Sequence, residues 1–93
     1  MRVVYLKAPW QFEMREVEIP EPGRGEVLVD VRACAVCGTD MHFAAVEAEY
    51  WQSFGHEIAG VVVKHGPGAD RVPVGTKVAL ESGTFCHTCD NCF

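Results

Sequence analysis

The amino-acid sequence predicts one small, mainly β domain, a β-barrel or sandwich with a single short helix. The first observation is length, because 93 residues are enough for one domain with a modest core and too few for two. The second is a set of short β-rich runs at 26–32, 58–64 and 76–80. The third is the glycine and proline turn signals between these runs, a spacing typical of small all-β folds.

The first predicted strand, 26–32, follows the proline- and glycine-rich stretch 20–25, which marks a turn. Its valines fall on one face and Asp30 and Arg32 fall on the other, which is the period of a half-buried strand. The runs 58–64 and 76–80 are separated by Gly-Pro-Gly and Pro-Val-Gly. We therefore expect three strands joined by turns in this part of the chain.

One stretch departs from the β pattern. Residues 39–46 begin with a threonine, a good helix-capping residue, and continue with residues that a helix tolerates. This composition predicts a short helix directly after Cys37.

Composition and charge exclude several classes of partner. The net charge is −5 with no basic cluster, so no positive field attracts nucleic acid or an anionic membrane. The apolar run in the first seven residues is too short for a signal peptide or a membrane span, and we expect a cytoplasmic protein. Five cysteines in a reducing compartment indicate thiolate chemistry or metal binding rather than disulfides.

A nucleotide-binding loop is not predicted within the 93 residues. The sequence Gly23-Arg24-Gly25 precedes a strand, whereas a dinucleotide-binding loop links a strand to a helix. We therefore assign no cofactor-binding residue in this chain.

Cys37 and His56 offer a thiolate and an imidazole, which are ligand types that suit zinc. Taken alone, each has a more ordinary interpretation, since a single cysteine usually packs as a small hydrophobic residue. Cys34 also forms a Cys-x-x-Cys with Cys37, but the alternation of the preceding strand favours a buried structural thiol there.

The residues around Cys37 and His56 resemble two sequence blocks of the zinc-dependent medium-chain alcohol and polyol dehydrogenases. The blocks are Cys37-Gly38-Thr39-Asp40-Met41-His42 and Gly55-His56-Glu57-Ile58-Ala59-Gly60, the second continuing to Gly66 and Ala69. The resemblance covers essentially the whole chain. It implies a GroES-like barrel, the amino-terminal part of the catalytic domain of such an enzyme.

This resemblance implies a role for each matching residue around a catalytic zinc. Cys37 and His56 would bind the ion. Asp40 would accept a hydrogen bond from the far ring nitrogen of His56 and so fix its tautomer. Glu57 would lie close behind the metal and assist ligand exchange.

Thr39 and His42 stand three residues apart, so a short helix places them on one face. In the family such a pair forms a proton relay from the substrate alcohol to solvent. The alternative is that Thr39 only caps the helix and His42 is simply exposed.

The segment Cys86-His87-Thr88-Cys89-Asp90-Asn91-Cys92 is a strong metal-site signal, because two-residue gaps let three thiolates turn onto one metal. The spacing alone leaves zinc and an iron–sulfur cluster open, since both begin this way. The resemblance implies a structural zinc held by four thiolates, of which Cys86, Cys89 and Cys92 lie in this chain. His87 is expected to point away from the ion.

Taken over residues 1–93, the resemblance implies the start of a GroES-like catalytic domain that includes the first part of the structural zinc lobe, 86–93. A complete relative also carries a Rossmann domain for NAD or NADP, so we expect a fragment that is inactive alone and a homo-oligomer at full length. The implied reaction oxidises an alcohol or polyol to an aldehyde or ketone, and Gly38 favours a polyol.

Three alternatives stand beside this interpretation. They are an iron–sulfur electron-transfer protein, a non-enzymatic binding module shaped like the co-chaperonin barrel, and a zinc-free quinone reductase of the same superfamily. The last two have no use for Cys37, His56 and the three clustered cysteines together.

Overall fold

A computed structural model describes residues 1–86 and 88–92. It contains six strands and one short α-helix, which confirms the mainly β prediction. The strands are β1 (Arg2–Lys7), β2 (Gln11–Glu16), β3 (Val27–Ala35), β4 (Gln52–Ser53), β5 (Glu57–His65) and β6 (Lys77–Ala79), and the helix is α1 (Gly38–His42). A π-helical turn, Phe43–Glu47, continues directly from α1, and a 3₁₀ turn spans Asp90–Cys92.

The strands form two antiparallel sheets of three strands each, in the order β2-β1-β4 and β3-β5-β6. The second sheet contains the three strands predicted from the sequence. The predicted strand at 26–32 begins one residue later and extends to Ala35. The first sheet was not predicted; its outer strand β2 is almost wholly exposed, and β4 is only two residues long.

A small apolar core joins the first sheet to the helical segment. Leu6, Ala44 and Ala48 are buried in one cluster, against which Ala8 and Phe54 pack. The backbone N–H groups of Ala8 and Trp10 donate hydrogen bonds of 2.8 Å to the carbonyl groups of Ala48 and Ala44. The turn after β1 therefore holds the π-helical turn at both ends.

Within the described residues, no helix combines the length and the apolar character that crossing a bilayer requires.

Candidate metal centre

The register of β3 and β5 brings the two sequence blocks together. In this antiparallel pair Ala35 lies opposite Glu57, so the residues after β3 and before β5 share one edge of the sheet. Cys37 follows β3 by two residues and His56 directly precedes β5. The ligand atoms of Cys37, His56 and Glu57 consequently all lie within 4.8 Å of one another.

Asp40 contacts two members of this group, Cys37 and His56. Its side chain is only 8% exposed, and its Oδ2 accepts a 2.9 Å hydrogen bond from the Cys37 backbone N–H. Its Oδ1 lies 3.5 Å from Nδ1 of His56. A buried carboxylate requires such partners, and its position leaves Nε2 of His56 as the ring nitrogen that can bind a metal.

Gly55 shapes the backbone that carries His56. Its φ of +106° lies in the region that disfavours side chains, and an added Cβ would stand 2.8 Å from Sγ of Cys34. Both observations restrict this position to glycine. They also explain why the second sequence block begins with glycine.

Cys34 corrects one expectation from the sequence, because the structure places it exposed rather than buried. It lines an apolar cavity of about 730 Å³ between the two sheets. The alternation of β3 predicted that the Cys34 side chain faces the core, but this part of the strand faces the open cavity.

The donor set of Cys37, His56 and Glu57 fits zinc. A thiolate, an imidazole and a carboxylate are the three ligand types that zinc takes in proteins. In a tetrahedral site a sulfur and a nitrogen ligand lie roughly 3.6 Å apart, a spacing that the 4.8 Å limit on this group includes. Glu57 is exposed, whereas Cys37 and His56 are partly buried.

Thr39 and His42 both lie on α1, and both side chains are exposed. Cys37 occupies the N-cap of this helix, so the alternative in which Thr39 caps it is wrong. Nε2 of His42 lies 3.0 Å from Oε1 of Glu47. Glu47 was not predicted, because a five-residue spacing brings two side chains together only where the helix has a π-helical turn.

The three cysteines of the second motif converge within a seven-residue segment. Sγ of Cys92 lies 3.5 Å from Sγ of Cys86 and 3.4 Å from Sγ of Cys89. Zinc bound at about 2.3 Å by thiolates separates the sulfurs by roughly 3.8 Å, so the three fit one zinc ion. The prediction for His87 falls outside the described residues.

Hydrogen bonds to the sulfur make Cys86 an unusually acidic thiol. The Thr88 hydroxyl and backbone N–H approach Sγ of Cys86 at 3.4 and 3.5 Å. These two contacts, followed by those from Cys89, lower the pKa of Cys86 from 9.0 to about 6. Thiolate is the form that binds metal, so this position is prepared for a cation.

Comparison with known proteins gives a consistent set of matches. Residues 23–93 match the family model of the alcohol dehydrogenase GroES-like domain. L-threonine 3-dehydrogenase of Pyrococcus furiosus is 38% identical over 97% of the chain. D-arabinitol dehydrogenase 1 of Uromyces fabae is 34% identical over 99% of it.

Solved structures agree with these sequence matches. The alcohol dehydrogenase RspB from Escherichia coli CFT073, complexed with NADH, superposes with a TM-score of 0.90 and 35% identity over 99% of the chain. A zinc-binding dehydrogenase from Sinorhizobium meliloti bound to NADP gives a TM-score of 0.82 and 33% identity over 98%. The chain spans 27% of each of these structures and 28% and 27% of the two sequence relatives. These superpositions confirm the predicted fold class.

Proposed function

Because the chain belongs to the alcohol dehydrogenase GroES-like domain family, we propose that it is the amino-terminal part of a zinc-dependent, NAD(P)-linked dehydrogenase. The substrate is an alcohol or polyol, which the enzyme oxidises to an aldehyde or ketone. Residues 1–93 form part of the catalytic domain, and 86–93 begin its structural zinc lobe. The observation that carries the proposal is the meeting of Cys37, His56 and Glu57 within 4.8 Å, although 19 positions separate Cys37 from His56.

Two side chains of this group hold the catalytic zinc in the proposed enzyme. Cys37 contributes its sulfur and His56 its Nε2, while Asp40 fixes the histidine ring through the 3.5 Å contact to Nδ1. Glu57 stands beside them and assists the exchange of ligands. When bound, zinc supplies a Lewis acid that lowers the pKa of an alcohol.

Thr39 and His42 carry the proton away from the substrate. The Thr39 hydroxyl accepts the substrate's hydroxyl proton and passes its own proton to the His42 ring. His42 is 63% exposed, so its ring can release that proton to water. Helical spacing supports this pairing, since residues three apart are neighbours on one face of α1.

The nicotinamide cofactor is assigned to the rest of the full-length enzyme. One structural relative is complexed with NADH and another is bound to NADP. Gly-x-Gly-x-x-Gly between a strand and a helix, the usual pyrophosphate site, does not occur in residues 1–93. In this proposal residues 1–93 position the alcohol and its proton path.

Cys86, Cys89 and Cys92 serve as three of four ligands of a structural zinc in this proposal. Their short sulfur separations of 3.4 and 3.5 Å support one shared ion. In the four-iron cluster that this spacing can begin, each cysteine binds a different iron, which holds the sulfurs farther apart. The electron-transfer alternative is therefore disfavoured.

We further propose a cytoplasmic homo-oligomer that acts on a small molecule and binds neither nucleic acid nor membrane. The net charge of −5 supports the last two points. The polyol preference rests on Gly38, because a glycine directly after Cys37 resembles the polyol and threonine dehydrogenases of the family.

The proposal is tested by metal analysis of the full-length enzyme together with a dehydrogenase assay on alcohols and polyols with NAD and NADP. We expect zinc at each of two sites. His56→Ala should remove the zinc of one site and all activity, and Cys89→Ser should remove the zinc of the other. A protein that binds no zinc, or that carries iron at the three cysteines, would overturn it.

A further inference from the structure

The π-helical turn Phe43–Glu47 brings the carboxylate of Glu47 close to Nε2 of His42, the histidine of the proposed proton relay. The Ala48 backbone N–H donates to the Phe43 carbonyl at 3.0 Å, which is the five-residue hydrogen bond of a π-helix. In an α-helix, residues five apart face different sides. Here the wider turn places Oε1 of Glu47 at 3.0 Å from Nε2 of His42.

This turn is held firmly, although the two side chains are exposed. Ala44 and Ala48, three residues before and one residue after Glu47, are 2% and 0% exposed and pack against Leu6. Their carbonyl groups accept the 2.8 Å hydrogen bonds from the turn after β1. The backbone that presents the Glu47 carboxylate is therefore anchored to the first sheet.

We propose that Glu47 is a positioning residue of the proton relay. It accepts a hydrogen bond from Nε2–H of His42 and so holds the ring in the tautomer whose Nδ1 is free for Thr39. A carboxylate that orients a histidine in this way is a recurring arrangement in enzymes that use histidine as a base. This inference rests on the proposed function, because it assigns a task to Glu47 only if Thr39 and His42 form the relay.

The proton moves from the substrate to water through Thr39 and His42 without any additional reactant. The substrate hydroxyl transfers its proton to the Thr39 oxygen as the Thr39 proton moves to Nδ1 of His42. The imidazolium then carries one proton on each nitrogen, and Glu47 faces its Nε2–H. Loss of the Nδ1 proton to water restores the original tautomer.

The test compares Glu47→Ala with Glu49→Ala in the full-length enzyme. Glu49 is a matched control, because it is also exposed and forms no ion pair within residues 1–86 and 88–92. We expect Glu47→Ala to lower kcat about 10-fold with little change in KM and to increase the solvent deuterium isotope effect. Glu49→Ala should leave all three quantities unchanged.

A second measurement reports the tautomer independently of turnover. Solid-state nitrogen NMR of the histidine-labelled enzyme, assigned by difference against His42→Gln, should show protonated Nε2 in the parent. In Glu47→Ala the protonation should spread over both nitrogens, and Glu47→Asp should restore it in part. An unchanged tautomer, or equal kinetic effects of Glu47→Ala and Glu49→Ala, would overturn the inference.

The kinetics of His42→Gln separate this inference from the proposed function. If His42→Gln lowers kcat and Glu47→Ala does not, Glu47 has no role while the relay stands. If His42→Gln itself has no effect on kcat in a zinc-loaded enzyme, the relay fails and the inference for Glu47 fails with it.

Discussion

The two cysteine-containing centres of this chain are built in opposite ways. Cys86, Cys89 and Cys92 meet within seven residues beside the 3₁₀ turn Asp90–Cys92, and the first two are exposed. Cys37 and His56 meet because the ends of β3 and β5 are aligned, and the buried Asp40 supports both. The first centre depends on local spacing, whereas the second depends on a sheet.

This difference determines what perturbs each centre. A local site tolerates changes elsewhere in the fold, since its ligands keep their spacing as long as the loop is intact. A site assembled across a sheet is sensitive to backbone strain and to the support of its ligands. Changes near Gly55 or Asp40 should therefore affect one centre and spare the other.

Gly55→Ala should have the largest effect. The new methyl group would lie 2.8 Å from Sγ of Cys34 at a φ of +106°, so we expect a loss of about 2 to 3 kcal/mol in unfolding free energy. Denaturant unfolding measures it. We also expect zinc to be lost from the Cys37 centre and kept at the three-cysteine centre.

The control for this substitution is Gly83→Ala, near the three cysteines. An added Cβ there has Phe85 Cζ at 4.0 Å as its nearest atom, so stability should not fall and zinc content should not change. Equal effects of the two glycine substitutions would contradict the contrast between the centres.

Asp40→Asn should have the next largest effect. The amide keeps the shape of the side chain but removes the charge that faces His56, and such supporting carboxylates contribute roughly 10- to 100-fold to metal affinity. We expect zinc affinity at the Cys37 centre to fall by that factor, as measured by competition titration with a chelator. Asp90→Asn makes the same chemical change at an exposed position beside Cys89, and it should leave both affinities as they are.

Thr88→Val tests the three-cysteine centre alone. The Thr88 hydroxyl is the largest cause of the lowered pKa of Cys86, about 6 instead of 9.0, so this thiol is mostly thiolate at neutral pH. In metal-free protein, removing the hydroxyl should raise that pKa and slow alkylation of Cys86 by iodoacetamide several-fold at neutral pH. As pH rises well above 9, the two rates should converge, and alkylation of Cys34 should not change at any pH.

The sequence predicted the local features of this molecule better than the long-range ones. The Cys-x-x-Cys-x-x-Cys spacing predicted that three sulfurs meet, as they do in the structure, and the runs at 58–64 and 76–80 predicted β5 and β6. The other centre could be located only through the resemblance of its two blocks, because no local pattern states that Ala35 pairs with Glu57. That pairing is a property of the folded sheet.

The first sheet shows a different limit. Phe12 and Met14 alternate with charged residues in β2, so a strand signal was present at 11–16. The strand is nevertheless exposed on both faces, with Phe12 and Met14 55% and 59% accessible. The apolar residues of β2 therefore do not mark a buried face. The two residues of β4 are too few to show the alternating pattern of a strand.

Gly38→Ala should have the smallest effect, and in the opposite direction. Gly38 is the first residue of α1 after the Cys37 cap, and an added Cβ there has no atom within 4 Å. Alanine loses less backbone freedom on folding than glycine, so unfolding free energy should rise by about 0.5 to 1 kcal/mol. The measurement is denaturant unfolding with zinc content as the control, which should not change. A decrease in stability would contradict the open space that surrounds Gly38, because a methyl group that meets no atom has no contact through which to destabilise the helix.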